Sequence, residues 1–87
     1  MQNYGSRELT FERGQGSYLF TKGGDRYLDF GMGIAVNSLG HCNPKLIAAL
    51  TEQANLLWHT SNLYNTEPGE QLANKLVAST FADRVFF

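Results

Sequence analysis

Several residue groups in this chain have types and spacings that could do chemistry. Gly31-Met32-Gly33 follows the strand-like run Arg26-Tyr27-Leu28-Asp29-Phe30, and a spaced glycine pair after a strand is how a dinucleotide-binding turn begins. That turn also needs Gly or Ala three residues after the second glycine, and a helix at once. Val36 stands at that position, and the next helix-start signal is Asn43-Pro44. Gly14 and Gly16 fail the same test, with Leu19 at the third site. Gly31 and Gly33 are therefore read as permitting an unusual backbone path and close approach by packed protein or substrate.

His41, Cys42 and His59 invite a metal reading, but no CxxC or HxxxH spacing supports it and adjacent residues point in different directions. No metal site is expected. His41 reads as bonding loop backbone after Gly40, and Cys42 as a small buried hydrophobe. Lys22, Lys45 and Lys75 are the only lysines. An imine-forming lysine is normally desolvated, which depresses its pKa. These three fall in a turn, in a helix's first turn and on a helix's polar side, so all read as solvated and none as a catalytic or cofactor-anchoring residue. Trp58, His59 and Tyr64 surround an interhelical loop. They serve packing and loop hydrogen bonding, or they contribute to a ligand pocket, where a tyrosine offers both a face and a hydroxyl.

The elements that must position these residues can be read in order. Leu9 to Arg13 alternates weakly and ends at a Gly14-Gln15-Gly16 turn signal. Ser17-Tyr18-Leu19-Phe20-Thr21 reads as a strand, Lys22-Gly23-Gly24-Asp25 as a tight hairpin turn, and Arg26 to Phe30 as the returning strand. This predicts a three-stranded antiparallel meander. Asn43-Pro44 opens a helix expected to run to about Trp58, with Leu46, Ile47, Leu50, Ala54 and Leu57 on one face. After a loop, a second helix starts near Glu67-Pro68, with Leu72, Ala73, Leu76 and Val77 on its apolar face. Arg84-Val85-Phe86-Phe87 reads as the opening of a buried parallel-sheet strand. The order meander, helix, loop, helix, strand makes an α/β class.

Composition narrows the function classes. Seven basic and eight acidic residues are scattered through 87 positions, so no basic stripe suggests nucleic acid. No apolar run approaches the ~18 residues of a membrane span, and the opening residues lack a secretory pattern. Order is expected beyond those first few residues. The one cysteine allows no internal disulfide and suits a reducing, cytoplasmic setting. A chain of this length makes at most one small domain with a marginal core, so stability would come from a partner: more of the same protein or another subunit.

Three stretches carry a resemblance: Gly24 to Phe30, Gly33 to His41, and Leu57 to Tyr64, supported by Glu70 to Ala73 and Phe81 to Phe87. Together they resemble the N-terminal signature of class III pyridoxal-phosphate aminotransferases, and the Asn37-Ser38-Leu39 and Trp58-to-Tyr64 stretches resemble its acetylornithine branch. Cys42 is closer to the ornithine-using version. The resemblance implies the N-terminal segment of a fold-type I pyridoxal-phosphate transferase, with residues 1–58 as meander and helix and residues 59–87 opening the large cofactor domain. It implies amino transfer between N-acetylornithine and 2-oxoglutarate in arginine biosynthesis, by a dimer with active sites at the subunit interface. It places the aldimine lysine and phosphate loop beyond these residues, so the chain alone is expected to be inactive. By the same resemblance Ile34 and Tyr64 match substrate-pocket positions. Two alternatives remain: another ω-aminotransferase, using ornithine or a succinylated substrate, and a small non-catalytic α+β interaction module.

Overall fold

The computed structural model describes residues 8–87. The first few residues, exempted above from the expectation of order, lie outside the described residues. The chain divides into two compact units that meet in sequence at Leu56 and Leu57.

The first unit is built on the expected meander. Strands β1 (Phe11–Gln15), β2 (Tyr18–Thr21) and β3 (Arg26–Leu28) form an antiparallel sheet in the order β1-β2-β3. Directly opposed residues share a face. Gly14, Leu19 and Tyr27 stand side by side on one face, and Arg13, Phe20 and Arg26 on the other. On the first, Phe11 meets Tyr27 edge to face, with ring centroids 5.5 Å apart. On the second, the guanidinium carbon of Arg13 lies 3.7 Å from the Phe20 ring centroid, and that of Arg26 lies 4.7 Å from Tyr18. The cations thereby cover aromatic faces while remaining hydrated.

The β2–β3 hairpin turns where Lys22-Gly23-Gly24-Asp25 predicts it. The Thr21 hydroxyl accepts from the Asp25 N–H at 3.1 Å, and Gly24 takes φ +91°. The first turn is displaced from its expected position. Instead of breaking at Gly14-Gln15-Gly16, β1 continues to Gln15, and Gly16 at φ +56° makes the reversal with Ser17. Gly14 is a strand residue here because another part of the chain lies on it, as described below.

Beyond the sheet come a four-residue helical turn, α1 (Met32–Ala35), and the helix α2 (Pro44–Ala54). Asn43 caps α2 as the sequence predicts: its Oδ1 accepts from the N–H groups of Lys45 and Leu46 at 3.0 and 3.4 Å. The helix stops at Ala54, four residues short of Trp58. Asn55 ends it by donating from Nδ2 to the Thr51 carbonyl at 2.7 Å, while its N–H and that of Leu56 turn back to residues three earlier. Carbonyls left open at a helix end are satisfied in this way.

The second unit holds a 3-10 turn at Ser61–Leu63 and helix α3 (Glu67–Ser79), which begins where Glu67-Pro68 predicts. Gln71 Nε2 donates to Glu67 Oε1 at 3.0 Å one turn away, and the Thr80 hydroxyl donates to the Leu76 carbonyl at 2.8 Å beyond the last turn. Residues 84–87 are not a strand. A strand exists only as one side of a hydrogen-bonded pair, and among the described residues no segment pairs with these. The Phe87 carbonyl accepts from Asn62 Nδ2 at 3.3 Å.

The amphipathic faces are present but uncovered. No described residue is fully buried. Leu46, Ile47 and Leu50 on α2, and Leu72, Leu76 and Val77 on α3, all remain exposed. Continuous apolar surface of this extent marks faces that pack against other protein.

Candidate functional site

In the first unit, the site-forming residues converge on one carboxylate. Asp29 follows β3, and its N–H donates to the Ser17 carbonyl at 2.8 Å, fixing it to the β1–β2 reversal. Its Oδ1 accepts from the N–H groups of Gly31 and Met32 at 2.9 and 3.0 Å. Its Oδ2 accepts from His41 Nε2 at 2.7 Å. The His41 hydrogen bond, then the Met32 N–H, hold this carboxyl below its ordinary value of 3.8. Partial burial opposes the shift, and the Gly31 N–H and the field of His41 add to it.

His41 is therefore not the loop-backbone ligand that the sequence suggests. Its ring meets a carboxylate, and its main chain is also tied. His41 N–H donates to the Gly16 carbonyl at 2.8 Å, and Gly16 N–H donates back to His41 at 3.0 Å. Gly40, at φ +85°, passes so close to Gly16 that a Cβ there would lie 3.1 Å from the Gly16 oxygen. Cys42 is likewise corrected. It is exposed rather than buried, at φ +54°, because the bridge to Gly16 and the Asn43 cap set the backbone on either side of it.

What Asp29 holds is a left-handed turn. Met32, Gly33, Ile34 and Ala35 take φ values of +45°, +63°, +62° and +63° in succession. Each L residue in this region costs about 1–2 kcal/mol, and only glycine is free of that cost. A β-branched residue such as Ile34 is an outlier there. The turn closes through Ala35 N–H to the Gly31 carbonyl and Asn37 N–H to Met32, both at 3.0 Å. It presents Ile34 at its tip, 95 % exposed. Backbone strain of this kind survives only where its surroundings over-determine it.

The second unit carries a concavity of about 690 Å³, within the range of small-molecule sites. Trp58, His59, Tyr64, Glu70, Val85 and Phe87 are among its lining residues. Ile34 and Tyr64 thus belong to different units, and each is exposed within its own.

The described residues do not fit pyridoxal phosphate. Lys22, Lys45 and Lys75 are all exposed, and none lines the concavity. The N-terminal turn of α3 carries Glu67 and Glu70, which would repel a phosphate, and that of α2 is already capped by Asn43. Among the described residues no three of His, Cys, Asp and Glu gather as metal ligands.

Sequence reading passed over Asp29 as a functional group. A signal was present: Asp-x-Gly is the pattern of an aspartate accepting from the N–H two residues on. The His41 pairing had no local signal, since twelve residues separate the partners.

Comparison with known proteins agrees along the whole chain. It is 59% identical over 87 residues to the acetylornithine aminotransferase of Rhodobacter capsulatus, covering 100% of this chain and 22% of the relative. The N-acetylornithine aminotransferase structure from Stenotrophomonas maltophilia matches 95% of this chain with a TM-score of 0.87 and 46% identity, spanning 23% of that protein. The ornithine aminotransferase structure from Toxoplasma gondii, which reveals partial occupancy of PLP at its active site, matches 97% with a TM-score of 0.88 and 30% identity, spanning 19% of that protein. This chain therefore spans about a fifth of the length of its curated relatives. The aminotransferase class-III family profile matches residues 1–87, and with this meander, Asp29-held turn and pair of helices the chain belongs to that family.

Proposed function

We propose that this chain is the N-terminal part of an enzyme that transfers an amino group between N-acetylornithine and 2-oxoglutarate with pyridoxal phosphate, in arginine biosynthesis. The observation that carries this reading is the 59% identity to an acetylornithine aminotransferase across the full chain. The apolar faces of α2 and α3, exposed here, would pack against the remainder of the enzyme, and the complete protein would act as a cytoplasmic homodimer. Residues 1–58 form its meander-and-helix segment, and residues 59–87 begin its large domain.

Pyridoxal phosphate, when bound, supplies the electron sink for amino transfer. The residues of this chain do different work. Ile34 offers an apolar contact to the amino donor from the tip of its turn. Tyr64 offers a ring and a hydroxyl beside the concavity of the second unit. Neither touches a reacting bond, so both govern substrate fit.

The test is a donor panel with the full-length enzyme containing residues 1–87. N-acetylornithine, ornithine and N-succinylornithine compete as donors to 2-oxoglutarate. A specificity constant highest for N-acetylornithine is expected. A preference for ornithine, the substrate named in the Toxoplasma gondii enzyme, would move the chain to the ornithine branch. Residues 1–87 alone are expected to show no transamination.

A further inference from the structure

The Asp29–His41 pair lies outside the substrate contacts proposed above, yet the side-chain hydrogen bonds at the start of the left-handed turn lead back to it. An isoleucine does not stay at φ +62° by its own preference. Released, residues 32–35 would relax to right-handed or extended backbone, and the tip side chain would move by several ångströms. The turn's own hydrogen bonds hold it only to itself. Asp29 Oδ1 is the atom that takes both leading N–H groups, of Gly31 and Met32.

Asp29 is in turn held from two sides. Its N–H is on the Ser17 carbonyl, and its Oδ2 is on His41. His41 is pinned to the sheet by its main-chain bridge to Gly16 and by its ring lying on Gly14. The side chains of His41 and Asp29 are 16% and 15% exposed, against 95% for Ile34. The turn thus has a largely shielded, hydrogen-bonded base and a presented tip.

We propose that Asp29 and His41 are positioning residues for the amino donor, fixing the left-handed turn Met32–Ala35 to the meander and so setting where Ile34 meets the substrate. This rests on the reading of Ile34 as a donor contact. The pair acts only through the turn. Its loss should weaken donor binding as much as loss of the Ile34 side chain does, and no more once that side chain is gone.

A double-mutant cycle in the full-length enzyme decides it, reading KM and kcat for N-acetylornithine and the melting temperature of each variant. Ile34→Ala and Asp29→Ala are each expected to lower donor kcat/KM by about tenfold, mainly through KM, with the double variant no worse than either single one. Asp29→Asn, whose amide oxygen can still accept from Gly31 and Met32, is expected to recover to within about threefold of wild type. An Asp29→Ala enzyme with unchanged donor kcat/KM overturns the proposal. So does a double variant in which the two losses multiply to roughly a hundredfold. If Ile34→Ala alone leaves donor kinetics unchanged, the reading of Ile34 as a donor contact has failed, and the positioning role falls with it. Where Asp29→Ala yields no soluble enzyme, His41→Gln takes its place in the same cycle.

Discussion

The ring of His41 occupies the space that a side chain on Gly14 would need: a Cβ there would lie 2.7 Å from His41 Cγ and 2.8 Å from its Cβ. One glycine in the middle of a strand thereby allows a histidine twenty-seven positions later to reach Asp29. Gly14→Ala would push the ring off the sheet and stretch its bond to the carboxylate. Overpacking of this kind costs about 1–3 kcal/mol. The full-length enzyme carrying Gly14→Ala should melt several degrees lower in a thermal scan, and an unchanged midpoint would show that His41 has room to move aside.

Asp29 should leave a mark on acid stability. Its folded pKa is depressed, chiefly by His41 and the Met32 N–H. The stabilisation is therefore complete above the ordinary carboxylate value and is lost as pH falls through the lower folded value. Melting temperatures of wild type and Asp29→Asn should differ by a constant gap above about pH 5 and converge at lower pH. A gap that persists undiminished to about pH 2 would mean that the carboxylate charge is not what stabilises the fold.

The Asn43 cap gives a prediction independent of function. Asn43→Ala removes the acceptor for two N–H groups at the start of α2. A loss of about 1 kcal/mol is expected in denaturant titration of the full-length enzyme. Asn43→Asp should retain most of the stability, because a carboxylate caps the same groups. Equal stability of Asn43→Ala and wild type would show that the cap is redundant once α2 is packed.

Tyr64 separates ring from hydroxyl. Tyr64→Phe in the full-length enzyme should lower donor kcat/KM by roughly fivefold if the hydroxyl bonds substrate, the scale of one neutral hydrogen bond. Tyr64→Ala should cost more, since the ring is lost as well. Wild-type kinetics in both variants would remove Tyr64 from the list of substrate contacts.

The local elements were legible where a residue acts on its immediate neighbours. Gly23-Gly24 marks a hairpin, Asn43-Pro44 opens α2, and Glu67-Pro68 opens α3, because turns and caps are chemistry within four residues. The end of α2 was not, since the apolar spacing carries on to Leu57 while Asn55 closes the helix by bonding back to Thr51. Residues 84–87 read as a strand from their β-favouring types, but a strand depends on a partner that sequence alone does not place.

The sequence by itself determined the family, the meander and the two amphipathic helices, since propensity, capping and periodicity are properties of short stretches. Only the tertiary structure decided that Gly14 belongs inside a strand, that Cys42 is exposed, and that His41 binds Asp29. It alone showed that Met32 to Ala35 is a left-handed turn presenting Ile34. The physical reason is the same in each case. A positive φ at an isoleucine is unfavourable locally, and it is held here by a carboxylate that accepts from Gly31 and Met32 at the turn and is itself fixed by His41, twelve residues on.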